Sequence, residues 1–225
     1  MPGPIRLTRM ASLEIAVRGS AHGRCAPERA TVSITIAVEG GRRETVFRDA
    51  VAVHQPLVDD LAALSEAGAV SNWHSGAVRV YSHRPFDGER QLDRVFTTRI
   101  EVSATFVDFE SLSDHLDRWA VGDGVEIGGV TWGIAEETHA ARMVELRREA
   151  IADAVAKATA YAEALGHTEV TAVSVTEPTA EPDSFRPARF SKRAMVASAP
   201  EPTLELTPED VALEVAIDVG FTAGS

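Results

Sequence analysis

Apolar and polar positions alternate with a period of two along most of the chain and switch to a helical period in three stretches. Leu13, Ile15 and Val17 alternate with Glu14, Ala16 and Arg18, which predicts a half-buried strand over Leu13–Gly19. Gly19, Gly23 and Pro27 predict a turn after it. Ala30–Glu39 alternates again, with Val32, Ile34, Ile36 and Val38 on one face. These two runs read as an antiparallel hairpin. From Arg42 to Glu66 the period changes: Val46, Phe47, Ala50, Val53, Leu57, Leu61 and Leu64 fall on one helical stripe. Pro56 lies inside that stripe and is expected to kink or split the helix.

Ala69–Arg84 and Leu92–Thr105 predict a second hairpin, joined by a turn containing Pro85 and Asp87–Gly88. Its second strand sets Phe96, Thr98, Ile100, Val102, Ala104 and Phe106 on one face. Asp108–Ala120 predicts a short helix with Asp108 as N-cap and Phe109, Leu112, Leu116 and Trp119 on its apolar side. Val125–Ala135 predicts a strand interrupted by Gly128–Gly129, a bulge signal. Glu136–Gly166 reads as one long alanine-rich helix closed by Gly166. Met143, Leu146, Ala150, Ala154, Ala158, Tyr161 and Leu165 form its predicted buried band, widened by Val144, Ile151, Val155 and Ala162. Strands follow at Thr168–Glu177 and Asp210–Phe221. The order ββαββαβαββ, rich in hairpins, predicts an α+β fold of antiparallel sheets.

Four stretches carry a resemblance to a known family. They are the opening VRGSAHGRCAPERATVSITIAVEG, the hairpin RVYSHRPFDGERQLDRVFTTRIEVSATFVDFESLSDHLD, the helix-and-strand GVTWGIAEETHAARMVELRREAIADAVAKATAYAEALGHTEVTAVSVTE, and LTPEDVALEVAIDVGF near the end. In this order they resemble the SIMPL-domain family, which includes bacterial periplasmic immunogenic proteins. The resemblance implies a single domain over 13–221; residues 1–12, before the first alternating run, read as a loose arm. It supplies no catalytic residues. Because at least one relative assembles into a large ring-like oligomer, it also implies self-association.

Charge narrows the choice of partners. The formal net charge is −12, which disfavours nucleic acid and anionic membrane surfaces. The opening residues lack the apolar core of a secretory signal, so the chain as it stands is expected in the cytoplasm. An envelope location would follow if a leader had been removed. Residues 178–208 hold six of the eleven prolines and little periodicity, so an exposed loop or insertion is expected there. Phe185 and Phe190 are its candidate contact residues.

Candidate chemistry is sparse. The single Cys25 excludes an intrachain disulfide and reads as a core or near-core residue. Seven histidines are scattered without an HExxH or an i,i+4 pair, so no metal or other cofactor is expected. His74 and His83, nine apart on one predicted strand, are expected to point to opposite faces. Glu136–Glu137 opens the long helix, where the helix dipole favours negative charge over acid–base catalysis. Trp73, Tyr81 and Phe86 cluster around the second hairpin and read as core aromatics or, if exposed, as a contact patch, with the core preferred.

Opposite the apolar band of the long helix, Ala152, Ala156, Ala160 and Ala164 recur at four-residue steps. Such a strip is either a solvated face or a place where a second helix approaches closely. The reading that follows is a non-enzymatic binding or assembly protein, homo-oligomeric or bound to a protein partner. Its candidate surface is Ala152, Ala156, Ala160, Ala164, Phe185 and Phe190. One alternative is a small-molecule enzyme with a cleft near the second hairpin, using His74, His83, Arg79 and Arg99. Another is a signalling adaptor that offers residues 178–208.

Overall fold

The computed structural model describes residues 13–88, 90–178 and 206–224. The expected arm at 1–12 and nearly all of the expected 178–208 loop, with Phe185 and Phe190, lie outside the described residues. The elements are β1 (Leu13–Cys25), β2 (Arg29–Gly40), α1 (Arg43–Glu66), β3 (Val70–Ser75), β4 (Arg79–His83), β5 (Phe86–Asp87), β6 (Arg90–Gln91), β7 (Val95–Phe106), α2 (Phe109–Ala120), β8 (Val125–Gly133), α3 (Glu136–Ala164), β9 (Glu169–Thr176) and β10 (Val211–Gly224). The fold is α+β with antiparallel sheets. It divides into two compact units, one containing β1, α3, β9 and nearly all of β10, the other the elements from β2 to β8.

In the second unit β2 and β7 are the central strands of a five-stranded sheet, with β3 and β4 on the far side of β7 and β8 beyond β2. Ala30, Val32, Ile34 and Ile36 of β2 share one buried face with Ile100, Val102, Ala104 and Phe106 of β7. Helices α1 and α2 cover that face with Ala50, Leu57, Leu61, Leu64, Leu112, Leu116 and Trp119. Burying each of the larger side chains contributes about 2 kcal/mol, and a one-residue slip of β2 or β7 would turn the whole row outward. The Trp119 indole N–H donates to Asp60 Oδ2 at 3.0 Å, tying α2 to α1.

Local signals act as their chemistry dictates. Asp108 is the N-cap of α2: its carboxylate accepts from the Glu110 and Ser111 backbone N–H groups and from the Ser111 hydroxyl. Those bonds, the Ser111 hydroxyl first, hold its carboxyl below the usual aspartate range. Gly128 and Gly129 lie where β8 shifts register against β2, opposite Ser33. A Cβ on Gly128 would sit 2.8 Å from the Ser33 carbonyl oxygen, so the bulge and the glycine require each other. Pro56 does not split α1, which continues through it. Pro56 and Ala52 are both exposed, so the Ala52 carbonyl that loses its helical donor faces water.

Several expectations are corrected. β1 and β2 do not form a hairpin: β1 pairs with β10, and β2 pairs with β7 and β8. Period-two patterning marks a strand but does not name its neighbour. β1 also runs through Gly19 and Gly23 to Cys25, so those glycines belong to a strand and not to a turn. Phe47 is 45% exposed and leaves the α1 stripe. Tyr81 and Phe86 are exposed, whereas Trp73 packs on the core.

The predicted strand holding His74 and His83 is broken into β3 and β4, both paired to β7. Ser75 faces Val102 and Arg79 faces Arg99, so three residues of one strand span two of the other. The extra residue reverses the facing. His74 opposite Ser103 and His83 opposite Val95 therefore share one face, contrary to the sequence expectation.

Replacing Asp108 with Ala should destabilise the protein by about 1 kcal/mol in urea unfolding followed by circular dichroism. The cap's contribution is complete above the unfolded carboxyl pKa of about 3.9. It is lost as pH falls through the lower, folded value. Equal midpoints for parent and variant at pH 7 would refute the capping role.

Candidate interaction surface

The first unit is built on an unusually close contact between a strand and a helix. A Cβ on Gly19 would lie 2.0 Å from the Ala150 carbonyl oxygen and 2.9 Å from the Ala154 Cβ. A Cβ on Gly23 would lie 3.3 Å from the Leu146 side chain. The backbone of β1 therefore rests directly on α3. Only small side chains fit at that contact, and the helix supplies Ala150, Ala154, Ala158 and Ala162 at four-residue steps, all buried. Ile15 and Ala21 of β1 and Val215, Ile217, Val219, Phe221 and Ala223 of β10 complete this core.

Polar groups pin the rim. Asp153 Oδ2 accepts from the Ser20 backbone N–H at 2.9 Å, and Lys157 Nζ donates to the Arg18 carbonyl at 2.9 Å. The Lys157 ammonium, and after it the Ser20 N–H, hold the Asp153 carboxyl below its ordinary range. Arg18 meets Asp218 of β10 in a two-bond pair at 2.7 and 2.9 Å, which lowers the Asp218 carboxyl in the same way. Arg18 and Lys157 are exposed and Asp153 and Asp218 half-exposed, so the contribution of these pairs is orientation more than energy. On the other flank of α3, Arg147 bonds Glu177 just beyond β9.

The alanines facing inward leave larger residues outside. Tyr161 is 58% and Leu165 is 64% exposed. Val144, Ile151 and Val155 are also exposed. This corrects the predicted buried band, of which Leu146, Ala150, Ala154, Ala158 and Ala162 are buried and Met143 is partly buried. The band follows the i,i+4 row of the helix, so its direction drifts around the axis along the helix. Ala152, Ala156, Ala160 and Ala164 are exposed on the side opposite the buried row. The outer face of α3 is thus a small-residue strip bordered by large apolar side chains.

The other candidates do not converge. Arg79, Arg99, His74 and His83 lie on the face of the five-stranded sheet away from its core, Arg79 directly opposite Arg99. A recess of about 320 Å³ is lined by Ala37, Val38, Glu39, Asp49, Val53, Asp123 and Gly124 and includes none of those four. His54 Nε2 is 2.8 Å from the Ser75 hydroxyl, and burial lowers its pKa. His115 Nδ1 is 2.7 Å from the Ser111 carbonyl oxygen and its ring meets Trp119 edge-on. His22 lies 3.9 Å from Glu214. Glu136 and Glu137 occupy the first turn of α3. Cys25 is half-buried. Among the described residues no group of three His, Cys, Asp or Glu could hold a metal ion. Among the same residues no helix is long and apolar enough to cross a membrane.

The described residues form an α+β fold in which α3 presents exposed apolar side chains. The model of the SIMPL family, described as a protein of unknown function (DUF541), matches residues 15–221, and the chain belongs to that family. No curated protein matches it.

The close contact makes a sharp prediction. Gly19→Ala should lower stability by about 1–3 kcal/mol through overpacking. Gly224→Ala, with nothing within 4 Å of its added Cβ, is the control and should change little. Comparable unfolding midpoints for the two variants would show that β1 yields freely and that the contact is not a constraint.

Proposed function

We propose that residues 13–221 act as one SIMPL domain whose role is non-enzymatic binding and assembly, with copies of the chain associating through the outer face of α3. The observation that carries this reading is the inverted arrangement of that helix. Its Ala150, Ala154, Ala158 and Ala162 are buried, while Val144, Ile151, Val155, Tyr161 and Leu165 are exposed. Apolar side chains left in water on one element are a source of association free energy, about 25 cal/mol per Å² buried. The strip Ala152–Ala156–Ala160–Ala164 lies among them and would let a second helix approach closely.

A small-molecule enzyme is the second reading. Its support is the shared sheet face of His74, His83, Arg79 and Arg99, none of which lines the recess bounded by Val38, Asp49 and Asp123. Assembly is therefore preferred.

Light scattering of the intact protein at micromolar concentration should give a mass above that of the 24.1 kDa chain. A strict monomer would overturn the reading. In Ala156→Glu/Ala160→Glu the mass should fall while the unfolding midpoint stays within about 0.5 kcal/mol of the parent, as is usual for surface changes. Unchanged mass would remove the alanine strip from the interface.

A further inference from the structure

The three-stranded sheet of the first unit has the order β1-β10-β9, so β9 lies at its edge. Among the described residues nothing pairs with the other side of β9. An edge of this kind is normally blunted by charge, proline or covering. Val170–Thr176 contains neither a charged residue nor a proline. It is open on both faces, with Val173 61% and Val175 59% exposed.

The facing of each β9 residue follows from its partner on β10. Val175 pairs with Val219, Ala172 with Phe221 and Val170 with Ala223, and all three partners are buried. These β9 residues therefore face α3. Thr176, Ser174 and Thr171 pair with Asp218, Gly220 and Thr222 and face away. The register shifts between Gly220 and Phe221, leaving Val173 as an extra residue. A Cβ on Gly220 would meet Ser174 Oγ at 2.5 Å and Val173 Cγ2 at 3.7 Å, so Val173 and Ser174 point to the same side.

That shared side gives the strand a facing pattern with two-fold symmetry. Reading outward from the midpoint of Val173 and Ser174, both directions run away, toward, away relative to α3. A second copy laid antiparallel along the edge then matches face for face in one register. Val173 meets Ser174, Ala172 meets Val175, Thr171 meets Thr176 and Val170 meets Glu177. In a register shifted by one, Ala172 would meet Ser174 across opposite faces. The bulge, often a device that spoils an edge, here selects a single self-pairing register.

We propose that β9 is a homodimerisation edge, joining two three-stranded sheets into one six-stranded sheet in this register. The inference rests on the self-association reading and adds to the α3 face a second, separate contact between copies. A second copy is the occupant that the facing symmetry fits, since an unrelated strand has no reason to share it. Charge points the same way: in a chain of net charge −12, this seven-residue run is a place where two identical copies can meet without like charges opposed. Arg147 neutralises Glu177 at one end of it.

The test is paired cysteines in a Cys25→Ser background. Thr171→Cys/Thr176→Cys should form a covalent dimer on mild oxidation, because residue 171 of one copy faces residue 176 of the other. Within one copy the two lie about 16 Å apart, beyond disulfide reach. Thr171→Cys alone should remain uncrosslinked, its two copies being offset along the strands. Val173→Lys should at least halve the solution mass with an unchanged circular dichroism spectrum. If the parent is oligomeric but the double-cysteine variant stays uncrosslinked and Val173→Lys keeps the parental mass, the β9 edge is wrong and self-association stands. A monomeric parent would overturn both.

Discussion

The structure of the first unit depends on one contact, the backbone of β1 at Gly19 resting on the backbone of α3 at Ala150. Interiors pack at near-crystalline density, so two backbones this close leave no room for side chains between them. The strand answers with Gly19, Ala21 and Gly23, and the helix with alanines at every fourth position. Each alanine contributes little burial energy by itself. The larger apolar contribution comes from β10, whose Val215, Ile217, Val219 and Phe221 are buried in the same core. The contact thus determines spacing, and β10 supplies most of the hydrophobic free energy.

This division of labour has an outward consequence. A helix that buries its large residues presents polar ones to water. Here the inner face is taken by alanine, and Ile151, Val155, Tyr161 and Leu165 are left on the flanks and outside. The sheet below follows the same logic, since β10 is buried while the valines of β9 remain exposed. Stability and exposed apolar surface in this unit come from a single packing choice. That is the physical basis of the assembly role proposed above.

The second unit is organised differently. Its central strands are held by long apolar rows on β2 and β7, and irregularities occur where neighbours join them. Gly128–Gly129 absorbs an extra residue in β8, and residues 76–78 absorb one between β3 and β4. The second of these places His74 and His83 on one face. A side-chain parity argument holds only within an unbroken ladder, so it fails across any bulge.

Much of the architecture was legible in the sequence because it depends on local periodicity. The α+β class, the three helices, Asp108 as a cap, the Gly128–Gly129 bulge and the alternating faces of β7 all follow from residues within a few positions of one another. The family was legible as well, through the order of its motifs. Tertiary structure alone decided which strands pair, because alternation specifies two faces but not the partner along an edge. It also decided how wide the buried band of α3 is. Helical spacing placed Leu146 and the Ala150–Ala162 row inside and Ala152–Ala164 opposite them, but it also drew in Ile151, Val155, Tyr161 and Leu165, which are outside. Gly19, more than a hundred residues earlier in the chain, sets that width by bringing β1 against the alanine row, because only a missing side chain permits so close an approach.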